Sequence, residues 1–282
     1  MELDYIELFK MYLYEQERSQ NTIDCYSRDI RQLRGYTSNY GDVGLQDLAQ
    51  INLTHFSKVL KSSGQSYKTI NRKITSINSF YKFMYDKGYV EHLLSVKPLK
   101  IRIGNEFKGL SNQELWKIRT VIHKSNNKMH ICLFELLYNT GIRISELVNL
   151  NLDSIAISAR KGNIIVLGKG EVVREIPLNK EARKAVADYL EIRHKVEGNL
   201  LIGQRGNLKQ SGVNRILKKY GNQMGIEISA HKLRHTFGFQ LAQKNTSPYV
   251  IQNLLGHANV STSSIYCQST SSEKIKAIEL ID

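Results

Sequence analysis

The chain has 282 residues, 41% of them hydrophobic, with 40 Lys and Arg against 26 Asp and Glu and a formal net charge of +14. That length predicts two domains, each able to bury a core, and the composition with only three prolines excludes a collagen-like or disordered chain. The basic excess favours a polyanionic partner, nucleic acid before an anionic membrane surface. No apolar run approaches the roughly 18 residues that span a bilayer, and the acidic start Met1-Glu2-Leu3-Asp4 is unlike a secretory signal. Cys25, Cys132 and Cys267 fit neither a disulfide framework nor a zinc site. A cytoplasmic protein with reduced thiols and no membrane association is expected.

Charge is unevenly spread. Residues 1–57 hold 5 basic and 9 acidic side chains, residues 58–102 hold 10 and 2, and residues 103–282 hold 25 and 15. The basic block is either a binding face or a solvated helix surface. Residues 1–95 read as helices. One starts at Asn21-Thr22 and continues through Ile23, Tyr26, Ile30 and Leu33. Over 66–85, Ile70, Ile74, Ile77, Tyr81 and Met84 form one stripe, with Lys68, Arg72, Thr75, Ser79 and Lys82 opposite. Short polar residues interleaved with cations suit phosphates and groove edges. Lys68, Arg72, Lys73, Lys82, Lys100 and Arg102 are therefore the candidate DNA-binding residues. Gly88 ends this helix or lies just beyond it.

Ser95 to Gly109 contains Pro98, Gly104 and several cations without helical period, and reads as an inter-domain linker. Ser111 to Glu114 is a capping box opening a new helix. The expected division is an N-terminal helical domain, 1–104, and a second domain, 105–282. Within the second, 130–138 is an apolar helical stretch and Arg143 to Leu150 another helix. Ile155 and Ile157 alternate with polar neighbours. Gly162 to Leu167 and Val172 to Ile176 flank Gly168-Lys169-Gly170-Glu171, a hairpin signal. Helical patterns resume at residue 179 and continue to the end. The fold class is mainly α with one small antiparallel sheet.

Several residues are candidates for chemistry. His231, Arg234 and Gly238 share a helix face and could accept a phosphate, although a surface His-Arg cluster has the same pattern. His231 and His235 stand at i, i+4, but Lys232 and Arg234 beside them oppose a divalent metal, so no metal is expected. Ser247 as cap, Pro248 at the first helical position and Gly256 past the end define a short helix that places His257 on a turn. Arg143 follows a glycine turn and could simply pair with Glu146. Tyr266, one of 15 tyrosines, means little alone.

Taken together in this order, Thr-Gly-Ile-Arg-Ile-Ser-Glu-Leu, the Gly-Lys-Gly hairpin, His-Lys-Leu-Arg-His-Thr-Phe, Leu-Leu-Gly-His and then Tyr closely resemble the tyrosine recombinases, from residue 1 to about 280. The resemblance implies a helical core-binding domain plus a catalytic domain, and a site-specific recombinase acting on duplex DNA. It implies six active-site residues, Arg143, Lys169, His231, Arg234, His257 and Tyr266, with Glu146 buttressing Arg143. Cys267-Gln268 after Tyr266 departs from the Thr-His that many Xer-like members carry, which weakens assignment to the chromosome-dimer resolving enzymes. On this reading Tyr266 attacks phosphorus, His231 takes its proton, Lys169 protonates the leaving oxygen with Lys161 as rival, and no cofactor is needed. Resolution or integration of a mobile element or plasmid is the expected task. Type IB topoisomerase-like relaxation and a non-catalytic DNA-binding regulator are the alternatives. The tail, Ser272 to Ile281, carries Ile275, Ile278 and Ile281 on one stripe. In the resembling family such a tail docks on a neighbouring subunit and closes a homo-tetramer; here it could equally fold back on its own domain.

Overall fold

The computed structural model describes residues 4–39, 43–100, 109–168, 173–193 and 197–256. The chain divides into two compact units, Met1–Gly104 and Asn105–Asp282.

The described part of the first unit holds four α-helices: α1 (Tyr5–Glu15), α2 (Gln20–Ser38), α3 (Gln50–Ser62) and α4 (Tyr67–Asp86). Short polar side chains start three of them. Asp4, Ser19 and Ser66 each accept a hydrogen bond from a backbone N–H in the first turn, which would otherwise lack a partner. The cap of α2 is Ser19, so this helix begins before Asn21-Thr22. In α4 the expected stripe is buried: Ile70, Ile74, Ile77, Tyr81 and Met84. Phe9 meets the edge of Phe80 at 5.3 Å between ring centroids, and the Tyr81 hydroxyl donates to the Leu45 carbonyl at 2.9 Å. Each such large apolar side chain contributes about 1.5–3 kcal/mol by leaving water.

The segment after α4 departs from the expected linker. Asn71 and Asn78, two turns apart, each exchange a pair of hydrogen bonds with backbone, Asn71 with Leu99 and Asn78 with Val96. Gln50 does the same with Ser95. Val96 is buried in the core of the first unit. Residues 95–99 thus belong to that unit, because carboxamides satisfy backbone groups that a free linker would leave to water.

The second unit is built on a helical core with one small sheet. In its described residues α5 (Asn112–Lys124), α6 (Lys128–Thr140) and α7 (Ile144–Asn149) lead into β1 (Ile155–Ile157), β2 (Gly162–Leu167) and β3 (Val173–Pro177). The strands form an antiparallel sheet in the order β1-β2-β3, as the alternating pattern implied. Then come α8 (Lys180–Leu190), the short pair β4 (Ile202–Gly203) and β5 (Gly206–Asn207), α9 (Gln210–Met224), α10 (Ala230–Gln243) and α11 (Pro248–Leu255). The β4–β5 hairpin corrects the expectation of helix from 179 onward; at two residues per strand it has no periodicity to read. The Ser111–Glu114 capping box forms as expected. α6 lies at the centre, with Leu133, Phe134, Leu136 and Leu137 fully buried. α6 packs on α5, α8 and α10. Among the described residues no helix is long and apolar enough to cross a membrane.

Candidate active site

The site is organised by the end of one short helix. Pro248 opens α11 and Gly256 closes it at φ 61°, a left-handed conformation that glycine adopts without strain. The last carbonyls of a helix lack intrahelical partners and carry its negative dipole end. Here three arginines from three different elements supply the missing donors. Arg174 on β3 donates from Nε to the Leu254 carbonyl at 3.1 Å, Arg234 on α10 from Nη2 to that of Leu255 at 2.5 Å, and Arg143 from Nη2 to that of Gly256 at 2.6 Å. Three guanidiniums are thereby gathered at the residue that immediately precedes His257.

Each arginine has a second anchor. Arg234, 5% exposed, also donates from Nη1 to the Gly141 carbonyl at 2.7 Å. Gly141 sits at φ 62°, and a β-carbon there would lie 2.4 Å from the Phe237 ring and 2.8 Å from Leu255. Only glycine lets α6 turn sharply enough to deliver the next residues to the site. Arg143 then caps α7, where its backbone N–H donates to Glu146 Oε2 at 2.7 Å. Its Nη1 donates to Glu146 Oε1 at 2.8 Å. Arg174 grips the same carboxylate with both terminal nitrogens, at 2.9 and 2.7 Å.

The Glu146 carboxylate is therefore shared between two arginines while its side chain is 3% exposed. Burial pushes its pKa up, but hydrogen bonds from Arg174 and from the Arg143 backbone and side chain outweigh that and bring it down to about 2. Glu146 stays ionised wherever the protein works. Arg174 is nearly covered, at 10%, whereas Arg143 keeps 33% of its side chain exposed. The arrangement leaves Arg143 partly exposed and packs Arg174 behind the shared carboxylate.

His231 and His235 lie one turn apart on α10 with Nε2 atoms 2.9 Å apart and ring planes at 79°. One Nε2 donates to the other, so a single proton lies between them. His231 is exposed and its neighbour half-buried. Among the described residues no group of three His, Cys, Asp or Glu side chains could hold a metal ion. Lys169, His257, Tyr266 and the tail lie outside the described residues, as does Arg102.

Sequence reasoning missed Arg174. Its signal was a cation on the inward face of β3, at i−2 from the buried Ile176. Of the candidate DNA contacts, Lys68, Lys82 and Lys100 are exposed. Arg72 and Lys73 are placed differently from the expected open face. Arg72 turns to α2 and binds both carboxylate oxygens of the buried Asp29, whose Oδ2 also accepts from Ser76 at 2.7 Å. Lys73 is buried and donates to Gln32 at 2.6 Å. The reason is helical geometry: residue 73 stands at i+3 from Ile70 and i−4 from Ile77, on the core stripe.

Comparison with known proteins matches residues 108–273 to the phage integrase family and residues 6–88 to the phage integrase N-terminal SAM-like domain. The tyrosine recombinase XerA of Pyrococcus horikoshii is 32% identical over 281 residues, covering 98% of this chain and 93% of that protein. The fold resembles that of the XerH site-specific recombinase bound to difH substrate in a pre-cleavage complex, with TM-score 0.76, 18% identity and coverage of 99% and 94%. It also resembles the Tn1549 transposon integrase in complex with a circular intermediate DNA, with TM-score 0.76, 20% identity and coverage of 99% of both chains.

Proposed function

The chain belongs to the phage integrase family and is a tyrosine site-specific recombinase that cuts and rejoins DNA, and on that premise we propose that it does so with Tyr266 as nucleophile and with the guanidiniums gathered at the end of α11 as its electrostatic centre. The observation that carries this reading is the convergence of Arg143, Arg174 and Arg234 on three successive carbonyls of residues 254–256. A scissile phosphate entering beside the partly exposed Arg143 meets positive charge already oriented, so little reorganisation accompanies the reaction.

The Tyr266 phenolic oxygen attacks phosphorus, the bond to the 5′ oxygen breaks, and a 3′-phosphotyrosyl bond and a free 5′-hydroxyl result. A free tyrosine has a pKa of about 10, so roughly one in a thousand is ionised at pH 7. His231 accepts the phenolic proton. Arg143, Arg234 and His257 hold the non-bridging oxygens, where charge accumulates. Lys169 delivers a proton to the departing 5′ oxygen. Attack by a 5′-hydroxyl from a second duplex reverses the steps, and the covalent link keeps the energy of the phosphodiester, so no nucleotide cofactor takes part.

The hairpin register supports Lys169 over Lys161. Leu167 pairs with Val173, and Val166 pairs with Arg174. In the sequence Lys169 follows Leu167 by two positions. Lys161 precedes β2 at the opposite end, about 17 Å from Leu167 at the rise of an extended strand.

The partner on this reading is a double-stranded recombination site, handled by the 1–104 helical domain and the 105–282 catalytic domain together, in the cytoplasm. Recombination joins four half-sites, so the active form is a homo-tetramer, linked by the apolar stripe of the tail. The task is resolution or integration of a mobile element or plasmid. The test is a duplex nicked next to the cleavage point, which traps the covalent intermediate by losing the short 5′ fragment. Wild type should give a protein–DNA band that survives denaturant, and Tyr266→Phe should bind the duplex and give none. A covalent band from the Phe variant would reject Tyr266 as nucleophile.

A further inference from the structure

A second basic feature lies at the end of the sheet away from the arginine cluster. Two adjoining cavities of about 530 and 350 Å³ flank the turn between β1 and β2. Both are lined by Ile157, Ser158 and Arg183. Arg160 and Lys161 border the larger cavity, and Lys180 and Lys184 the smaller. Lys184 is paired with Asp188 at 2.7 Å. Arg160, Lys161, Lys180 and Arg183 form no ion pair with any carboxylate among the described residues. The acid in the lining is Glu175, whose carboxylate accepts from Asn163.

Arg183 is fixed in place. Its Nη1 donates to the Leu178 carbonyl at 2.8 Å, and its stem lies over Gly162, where a β-carbon would come within 2.9 Å of it. The absence of a side chain at residue 162 is what lets this arginine stand between the two cavities. The first turn of α8, with Lys180 in it, adds the positive end of an 11-residue helix. Four unpaired cations, one of them rigidly held, around an open groove fit a chain of phosphates better than a single small anion.

We propose that this groove is a second DNA-backbone contact, separate from the cleavage centre, which holds phosphates of the same duplex. The claim rests on the recombinase reading for its occupant. Distance favours one duplex over two. Gly162 and Leu167 at the two ends of β2 are about 17 Å apart, which equals about five phosphates along one strand of B-DNA at about 3.4 Å each. The duplex engaged at the arginine cluster is therefore already within reach of the groove.

The experiment uses the full chain and a duplex of arbitrary sequence, because backbone contact does not depend on sequence. It therefore stands or falls independently of Tyr266. Arg160→Ala, Lys161→Ala and Lys180→Ala are combined; all three side chains are exposed, and Arg183 is left in place because its stem fills space above Gly162. Affinity is measured by gel shift from low to moderate salt. The plot of log affinity against log salt for the complex of one protein with one duplex should be shallower by about 2–3 in the variant, roughly 0.9 per lost phosphate contact. Covalent trapping at saturating protein should stay within about twofold of wild type. An unchanged slope overturns the proposal and leaves the groove to an acidic protein partner. A difference confined to species holding two duplexes also overturns it, and assigns the groove to the second DNA.

Discussion

Glu146 in the C-terminal unit and Asp29 in the N-terminal unit are both nearly inaccessible carboxylates, at 3% exposure each, and both grip arginine, yet they leave their partners in different states. Asp29 engages both terminal nitrogens of Arg72 and takes a hydroxyl from Ser76, so the pair closes on itself and ties α4 to α2. Glu146 divides its oxygens between Arg174 and Arg143. Arg143 gives it one terminal nitrogen, spends the other on the Gly256 carbonyl, and remains partly open to a ligand. The same chemical pair thus serves as a clasp in one unit and as a mount in the other. What separates them is the second arginine, which makes Glu146 the centre of a network anchored to α11.

Removing the carboxylate of the mount should have the largest effect. Glu146→Ala leaves two guanidiniums facing each other in a covered site, and breaking a buried ion pair costs about 3–5 kcal/mol. Urea unfolding of the C-terminal unit should shift accordingly, and covalent trapping should fall even where the protein is still folded. The pH dependence gives a gentler probe. Because Glu146 titrates near 2 in the folded chain and near the ordinary carboxylate value when unfolded, its stabilisation is complete above about 4.5 and is lost as pH falls toward 2. Glu146→Gln should flatten the stability curve in that window, and an equally steep curve would mean that the acid transition arises elsewhere.

Breaking the clasp should cost less and touch a different property. Asp29→Asn keeps the shape and part of the hydrogen bonding but removes the charge facing Arg72, for about 1–3 kcal/mol. Cleavage at saturating protein should be unchanged, since the hydrogen bonds of this pair run to Cys25 and Ser76 of its own unit. A drop in the trapped fraction without a drop in stability would erase the distinction between the two sites. The smallest effect on stability, within about 0.5 kcal/mol, is expected for Lys68→Ala with Lys82→Ala, both exposed on α4. Their loss should appear instead as a salt slope shallower by up to about 2. An unchanged slope would place that face in solvent.

Features set by neighbours in sequence were legible in advance. The Ser111–Glu114 box, the α11 cap at Gly256 and the β2–β3 hairpin all depend on residues within a few positions of one another. Arg143 with Glu146 was legible for the same reason, at i, i+3. Arg174 was not, because its partners are 28 and 80 residues away and nothing in β3 alone distinguishes a supporting arginine from a surface one. Arg72 was misplaced for a related reason: its partner Asp29 lies 43 residues earlier, and only the packing of α2 on α4 joins them. Lys73 was legible and overlooked, since its spacing from Ile70 and Ile77 puts it on the buried stripe. The docking of residues 95–99 left no periodic trace, because carboxamide-to-backbone bonds place no demand on the side chains of the docked segment.

The central claim is that Arg143, held by Glu146 and the end of α11, acts on the charge of a non-bridging phosphate oxygen. It is tested most directly by replacing that oxygen with a methyl group at the cleaved position of the nicked duplex and comparing wild type with Arg143→Ala in a single turnover. On the ordinary phosphate the variant should be slower by about 10²–10³, the cost of losing one preorganised donor to a developing anion. On the stereoisomer that lacks the oxygen facing Arg143, the gap should shrink to within about tenfold, because the charge this arginine serves is gone. An equal gap on phosphate and on both methylphosphonate isomers would contradict the account and leave Arg143 as a structural brace.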